Sequence, residues 1–285
     1  MAGVAMATPA ILGLLVFFVA PLVAAVGISL TDWSLLAAPN FVGLENYARI
    51  FTDPLVAKSL GVTFYFAILS VPTGIIAAIL IATLLNQKMR ANRLFVVLFY
   101  LPSILPSVAV IVVWLWLLDP QYGLVNQGLE GLGLPTLNWF SDPNLVVPSF
   151  VIMNVWGIGG SMLIFLAARK GISPSLYEAA SLDGASPWQQ FWTITLPMLS
   201  PVILFTLVIS LIAALQTFAQ GFLLNGGAGG SALFFNLYVY ERAFQGGDMG
   251  YASALAMLLF VITMVLTAVT FKSSSLWVFY ESRAK

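Results

Sequence analysis

The sequence predicts an all-α polytopic membrane protein with six transmembrane helices. Of its 285 residues, 60% are hydrophobic and 8% are charged, whereas soluble domains carry about 25% charged residues. A helix needs roughly 20 apolar residues to cross the hydrocarbon core. Six segments meet this length and contain no Asp, Glu, Lys or Arg: 10–30, 60–86, 94–118, 146–168, 201–224 and 251–271. We therefore expect one transmembrane domain over residues 1–285.

The residue types that the chain lacks narrow its function. It has no cysteine and no histidine, so thiolate chemistry, Cys-based metal sites and the usual proton shuttle have no candidates. Its net charge of zero gives no reason to expect a nucleic-acid partner. No G-x-x-x-x-G-K-[ST] segment occurs, so ATP and its Mg²⁺ would bind a separate chain. We expect no catalytic residue, no metal site and no cofactor in this chain.

The basic residues predict the orientation. An even number of spans places both termini on one side, and cytoplasmic loops are normally the ones rich in Lys and Arg. The side of residues 170–200 holds Lys88, Arg90, Arg93, Arg169, Lys170, Lys272, Arg283 and Lys285. The opposite side holds only Arg49, Lys58 and Arg242. We therefore expect the two termini and the 170–200 loop to be cytoplasmic.

That loop, between the fourth and fifth predicted spans, is amphipathic and predicts two short helices. Ser-Pro pairs at residues 173–174 and 186–187 are helix start signals. Asp-Gly at 183–184 is a stop signal, because glycine accepts the left-handed conformation at a helix C-terminus. Pro197 is expected to end the second helix. From the residues alone, such a pair could lie on the lipid surface or dock a partner protein.

The loop resembles the cytoplasmic EAA loop of ABC-importer permease subunits. The matching residues are Glu178, Ala179, Ala180, Gly184, Ile194, Leu196 and Pro197, and Tyr177 and Asp183 belong to the same stretch. Residues 41–47 and 249–254 also resemble the sugar-importer branch of this family, of the maltose and glycerol-phosphate type. The resemblance implies that these loop residues couple the chain to an ATPase.

The same resemblance implies the partners and the location. The assembly would contain a second permease subunit, a dimer of ATP-binding subunits and an extracytoplasmic solute-binding protein, in a prokaryotic inner membrane. The residues leave two alternatives. An ion-coupled secondary transporter usually needs an ionisable residue inside the membrane, and a polytopic membrane enzyme needs acid–base or metal groups. The predicted spans contain neither.

Neutral side chains in the fourth and fifth predicted spans are candidates for the solute path. They are Asn154, Trp156, Gln216, Phe218 and Gln220. Gln216 and Gln220 are spaced to share one face of a continuous helix, and the aromatic rings could stack on a sugar. The alternative is that these residues join helices by hydrogen bonds. The absence of basic residues from the spans disfavours a phosphorylated solute, but the solute itself is not identified.

Overall fold

The computed structural model describes residues 2–87 and 91–279, and in this part of the chain every extended regular element is helical. The α-helices are α1 (Ala2–Leu14), α2 (Ala20–Ser29), α3 (Glu45–Ile50), α4 (Pro54–Leu85), α5 (Asn92–Tyr100), α6 (Ser107–Leu117), α7 (Leu124–Gly131), α8 (Val146–Trp156), α9 (Gly159–Lys170), α10 (Pro174–Leu182), α11 (Pro187–Gln190), α12 (Leu196–Leu215), α13 (Ala219–Leu223), α14 (Phe235–Tyr240) and α15 (Met249–Trp277). The predicted all-α class is confirmed.

Four helical stretches are long and apolar enough to cross a membrane, although one of them is interrupted at residues 216–218. They are Met6–Ser29, Pro54–Leu85, Pro187–Leu223 and Met249–Trp277. Two bent pairs, α5 with α6 and α8 with α9, raise the number to as many as six when each pair counts as one span. The predicted number of six is therefore reached when each bent pair is counted as one broken span.

The third predicted span, 94–118, is a broken helix and not the single continuous helix expected for a span of this length. α5 continues through a short 3₁₀ turn, and the combined helix meets α6 at 102°. Pro106 lacks an N–H group and excludes the preceding residue from the helical region. Leu105 accordingly has an extended backbone, with φ −74° and ψ 144°.

The fourth predicted span also bends, by 47° between α8 and α9. α8 ends at Gly157, and α9 begins two residues later at Gly159. Gly159 packs directly on α5: a Cβ there would lie 2.5 Å from the carbonyl oxygen of Phe99. Only glycine permits this approach, so the break serves close contact between the two bent pairs.

The helix that begins at Pro187 does not end at Pro197, so this second expectation is wrong. α11 passes through a π-helical turn, Phe191–Thr195, directly into α12. The N–H of Leu196 bonds to the carbonyl of Phe191, five residues back. This wider turn accommodates a proline that a regular helix would place against a backbone carbonyl.

α4 is the central helix and packs against α8, α9 and α12, whereas α2 packs along α15. Residues of α4 such as Ala78 and Ala82 are fully or almost fully buried, and small side chains let helices approach closely in membranes. We call the end of the bundle that carries residues 170–200 the loop end, and the opposite end, where α4 and α15 begin, the far end.

The far end is joined through the backbone of residues 29–31. The Nδ2 of Asn46 donates to the carbonyls of Ser29, at 2.9 Å, and Thr31, at 2.8 Å. Gly250, at the start of α15, lies against the same segment: a Cβ there would be 1.9 Å from the carbonyl oxygen of Thr31. The two segments that resemble the sugar-importer branch, 41–47 and 249–254, therefore meet in space.

A polar network around Asp53 also holds the far end. One carboxylate oxygen caps α4 by accepting the N–H of Leu55 at 2.9 Å. The other accepts the phenol hydroxyls of Tyr238 and, at 2.8 Å, Tyr251. Arg242 donates to the hydroxyl of Tyr238 at 2.7 Å. Burial raises the pKa of Asp53, but the hydrogen bonds outweigh it and hold the pKa below its usual 3.8.

An ion pair at the far end adds to this network. Arg49 lies 2.6 Å from Asp248 and places its guanidinium 4.0 Å above the ring of Tyr251. Asp248 also caps α15 by accepting the N–H of Tyr251 at 3.3 Å. The start of α15 is thus fixed by both charge and hydrogen bonding.

Candidate coupling loop and translocation cavity

The first helix of the loop, α10, begins and ends where the sequence predicts. At its end Gly184 has a φ of +81°. The N–H of Gly184 bonds to the carbonyl of Ser181, at 3.1 Å, and that of Ala185 to the carbonyl of Ala180, at 2.9 Å. This is the Schellman arrangement, which satisfies the last carbonyls of a helix and requires a left-handed residue.

The second helix is fixed to the first at a defined angle. Ser186 and Gln189 form a reciprocal capping box, with bonds of 3.3 Å and 2.7 Å. The Nε2 of Gln190 reaches back to the hydroxyl of Ser181, at 2.9 Å, and the carbonyl of Ala185, at 3.1 Å. The turn between α10 and α11 therefore keeps its shape through side-chain hydrogen bonds.

A side-chain hydrogen bond joins α10 to the base of α12. The hydroxyl of Tyr177 lies 2.9 Å from that of Thr195, which is buried. Thr195 immediately precedes α12, so a displacement of α10 has a direct route to the transmembrane helix.

The outward surface of α10 is exposed. Glu178, Ala179, Asp183 and Gly184 are exposed, and Leu182 is 90% exposed. Glu178 and Asp183 form no ion pair with the described residues. The surface therefore offers apolar contact and two unpaired carboxylates to another molecule.

The remaining loop residues support the helix base. Ala180, Leu196 and Pro197 are half-buried. Leu196 lines an apolar space of about 280 Å³ with Trp188 and Trp192, against α4. The half-buried Ala180, Leu196 and Pro197 are therefore on the bundle side of the loop, whereas the exposed residues of α10 and Gly184 are on its outer side.

A polar cavity of about 250 Å³ lies among α4, α8, α9, α12 and α13. Its polar lining consists of Ser70, Asn154, Ser161, Ser210, Thr217 and Gln220. No ionisable side chain lines it. Asn154 and Gln220 also line an adjoining space of about 190 Å³ beside α6, so both amides face the spaces between the helices.

The cavity lies where two helices are interrupted. α8 ends at Gly157, which lines the cavity. α12 ends at Leu215, and Phe218 has non-helical angles, φ −135° and ψ −57°, before α13 begins. Irregular backbone at membrane depth is tolerated only inside protein or along a water-filled cavity, so the breaks and the polar lining belong together.

Gln216 does not share a face with Gln220, and the sequence expectation is wrong on this point because the helix ends between them. Gln216 instead lines a separate groove of about 570 Å³ along α15. Its carbonyl accepts the Nδ2 of Asn236 at 3.1 Å.

The two aromatic candidates lie among other rings and not on the cavity wall. Trp156 is 40% exposed and meets Trp114 edge-to-face, with ring centres 5.9 Å apart. Phe218 lies 5.2 Å from both Phe222 and Tyr240. Their contact with solute stays a prediction, and their neighbours favour packing.

The sequence indicates most of this lining, because Ser161, Ser210 and Thr217 are further polar residues of the fourth and fifth predicted spans. Ser70 lies in the second predicted span among apolar residues, where it resembles an ordinary helix contact. The glycines at 157, 159 and 160 are the sequence signal for the break between α8 and α9, because clustered glycines favour irregular backbone.

Comparison with known proteins agrees with this geometry. Residues 70–273 match the family model described as the inner membrane component of binding-protein-dependent transport systems. The chain is 40% identical to a probable ABC transporter permease protein, YesP, of Bacillus subtilis, over 99% of this chain and 93% of that protein. It is 33% identical to the trehalose/maltose transport system permease protein MalF of Thermococcus litoralis, over 95% and 92% of the two chains.

A solved structure is similar along almost the whole chain. It is a chain of a bacterial alginate ABC transporter in complex with an alginate pentasaccharide-bound periplasmic protein. The TM-score is 0.82 at 26% identity, and the match covers 95% of this chain and 92% of that one. The chain therefore belongs to the family of binding-protein-dependent transport system inner membrane components, and it is a permease subunit of an ABC importer.

Proposed function

We propose that this permease forms half of the path by which an uncharged sugar enters the cell. The polar cavity carries the proposal. Its lining offers amide and hydroxyl groups and no charge, which suits the hydroxyls of a sugar. A phosphorylated solute is held best by Arg or Lys.

The relatives support a saccharide substrate, since one is named for trehalose and maltose and the similar structure belongs to an alginate transporter. Alginate is an acidic polysaccharide, so the restriction to an uncharged sugar rests on the cavity lining. The cavity, at about 250 Å³, is smaller than the roughly 300–1,000 Å³ of sites that enclose a drug-sized ligand. A longer saccharide would therefore occupy it one ring at a time, with the second permease supplying the opposite wall.

The proposed assembly contains a second permease, two ATP-binding subunits that hold ATP and Mg²⁺, and an extracytoplasmic binding protein, in a prokaryotic inner membrane. Both termini and the loop end face the cytoplasm. Of the basic residues that support this orientation, Lys88, Arg90, Arg283 and Lys285 lie outside the described residues. Arg93, Arg169 and Lys170 lie at the loop end.

In the proposed mechanism, α10 docks on the ATPase through its exposed surface. When ATP closes the two motor subunits, α10 moves with them, and the bond between Tyr177 and Thr195 transmits this movement to α12. α12 ends beside the cavity, so its tilt would change access to the solute path.

Substitution of the two amides that line the cavity tests the proposed solute path. Gln220→Ala and Asn154→Ala should lower uptake about tenfold, the effect of losing one well-placed hydrogen bond. Gln216→Ala is the matched control and should leave uptake near wild type. The assay is uptake of labelled trehalose, maltotriose and glycerol 3-phosphate by proteoliposomes with the complete transporter and its binding protein. Equal losses in all three variants, or loss of complex assembly, would contradict the proposal.

Cysteine labelling tests the orientation, because the chain has no native cysteine. Ser175 is exposed on α10, and Leu36, at the far end, is 97% exposed. In intact cells, a membrane-impermeant maleimide should label Leu36→Cys and leave Ser175→Cys unlabelled until the membrane is opened. Asn46, which follows Leu36 at the far end, is 7% exposed and unsuitable for labelling. Labelling of Ser175→Cys in intact cells would contradict the proposed orientation and indicate the opposite one.

A further inference from the structure

A wide groove of about 1,160 Å³ opens at the loop end between α5 and α9. Its walls are mainly apolar and include Leu94, Val97, Leu163 and Leu166. Both helices belong to bent spans, so these walls run along the membrane depth. Arg93, in the first turn of α5, and Lys170, the last residue of α9, both line this groove.

The basic residues at the loop end form no ion pair with the described residues. The ion pairs of residues 2–87 and 91–279 lie at the far end, between Arg49 and Asp248 and between Arg242 and Asp53. Arg169, beside Lys170, has its Nε and Nη1 atoms buried without a hydrogen-bond partner in the same residues. An anion from outside the chain would satisfy charges that the chain itself leaves unpaired.

Two further features of the groove suit a polar headgroup. α5 begins after Ala91, which provides no side-chain cap, so the first N–H groups of this helix are free of a capping side chain and favour an anion. Asn92 donates its Nδ2 to the carbonyl of Leu85 at 2.6 Å, and this contact orients its amide. Its Oδ1 is buried and has no donor among the described residues.

We infer that this groove binds an anionic phospholipid. The phosphate lies at Arg93, Lys170 and the start of α5, a headgroup hydroxyl donates to the Oδ1 of Asn92, and one acyl chain lies along Leu94 and Val97. A free phosphate would use the charges but leave the apolar walls uncovered. A zwitterionic lipid would cover the walls but not neutralise the basic residues. Phosphatidylglycerol has the required charge, hydroxyls and acyl chains.

The location gives this lipid a structural consequence. α9 is followed within four residues by α10, the helix proposed to contact the ATPase. A lipid between α5 and α9 would hold the base of the loop against the third span. The assignment of the groove to the cytoplasmic leaflet rests on the proposed orientation, whereas lipid binding itself does not.

The test measures lipid retained by the purified, fully assembled transporter, by native mass spectrometry. The probes are phosphatidylglycerol and phosphatidylcholine with identical acyl chains. Wild type should retain phosphatidylglycerol preferentially. Lys170→Gln and Arg93→Gln should each weaken this retention about fivefold, the contribution of one basic residue near an anionic lipid surface. Lys272→Gln, which removes a positive charge from the end of α15 and not from the groove, should leave retention unchanged.

A groove-filling variant separates charge from shape. Val97→Trp keeps every charge and should lower retention of phosphatidylglycerol by blocking the acyl chain. Four results would overturn the inference: equal retention of the two lipids, no retention of either lipid by the fully assembled transporter, equal loss in Lys272→Gln and Lys170→Gln, or displacement of the lipid by millimolar glycerol 3-phosphate. The second would indicate a groove covered by a partner subunit, and the fourth a free-phosphate site.

Discussion

The two ends of the bundle differ in how their polar groups are satisfied. At the far end, Asp53 bonds to Tyr238 and Tyr251 across long sequence distances, and Arg242 donates to Tyr238 within the same helical segment. At the loop end, α10 is joined to the helix that contains α11 and α12 by the bonds of Tyr177 to Thr195 and of Gln190 to Ser181, and its carboxylates and Leu182 remain exposed.

This difference predicts that stability and transport depend on different ends of the bundle. The groups around Asp53 are satisfied by one another within the described residues, so substitutions in this network should act mainly on folding. The loop end has surfaces and charges that the chain does not match, which is expected of a region completed by another molecule. Stability measurements on the isolated permease and activity measurements on the complex should therefore respond to different substitutions.

The largest effect on stability is expected at Gly250. Gly250→Ala places a methyl group 1.9 Å from the carbonyl oxygen of Thr31, a backbone atom that cannot rotate away. We expect a loss of about 3 kcal/mol, or roughly 6–12 °C in the Tm of the purified protein. The matched control is Gly61→Ala in α4, where the new methyl meets no atom within 4 Å. Equal Tm values for both variants would show that the far end is looser than described.

A smaller effect is expected at Asp53. Asp53→Asn removes the charge that two phenols and Leu55 hydrogen-bond, and should cost about 1–3 kcal/mol at pH 7. Because the folded-state pKa of Asp53 lies below its usual 3.8, this stabilisation is fully present above about pH 4 and is lost as the pH falls through the folded value. The Tm difference between wild type and variant should thus be constant from pH 7 to 5 and shrink below pH 4.

Asp32 provides a control for this prediction at the same end. Its carboxylate is exposed and bonds only to Asn40 in the described structure. Asp32→Asn should change the Tm much less than Asp53→Asn at pH 7. A Tm difference for Asp53→Asn that grows on acidification would contradict the assigned direction of the pKa.

The smallest effect on stability is expected at Tyr177. Tyr177→Phe removes only the bond to Thr195 and should cost about 1 kcal/mol or less, while uptake per ATP hydrolysed falls. Thr195→Val should do the same, and the double variant should be no worse than either single one. Tyr122→Phe, at a tyrosine that is 71% exposed, is the control. Additive losses in the double variant would show that the two hydroxyls do not act together.

The parts of the fold that the sequence predicted depend on local signals. The Ser-Pro starts and the Asp-Gly stop predicted α10 because caps and turns are determined by neighbouring residues. The bend before α6 has such a signal in Pro106, whose effect on Leu105 the span assignment overlooked. The break after α12 has none: residues 216–218 contain neither glycine nor proline, and Asn236 of α14 supplies the bond to the freed carbonyl of Gln216.

The far-end network was not predictable from the sequence for the same reason. Asp53 meets Tyr238 and Tyr251 across 185 and 198 residues of chain, so nothing near Asp53 indicates its partners. The cavity was predicted in part. Asn154, Ser210 and Gln220 are polar residues in apolar spans, whereas Ser70 becomes a cavity residue only through the packing of α4 against α12.

The most direct test of the account replaces Gly184, on which the shape of the proposed coupling loop depends. A Cβ at Gly184 meets no atom within 4 Å, so substitutions act through the backbone alone. At its φ of +81°, valine is strained by about 1–2 kcal/mol or more, whereas asparagine tolerates the left-handed conformation. We predict that Gly184→Val loses ATPase co-purification and ATP-driven uptake in the complete transporter, while Gly184→Asn keeps both. Wild-type values of both measurements in Gly184→Val would contradict the assignment of this loop as the coupling element.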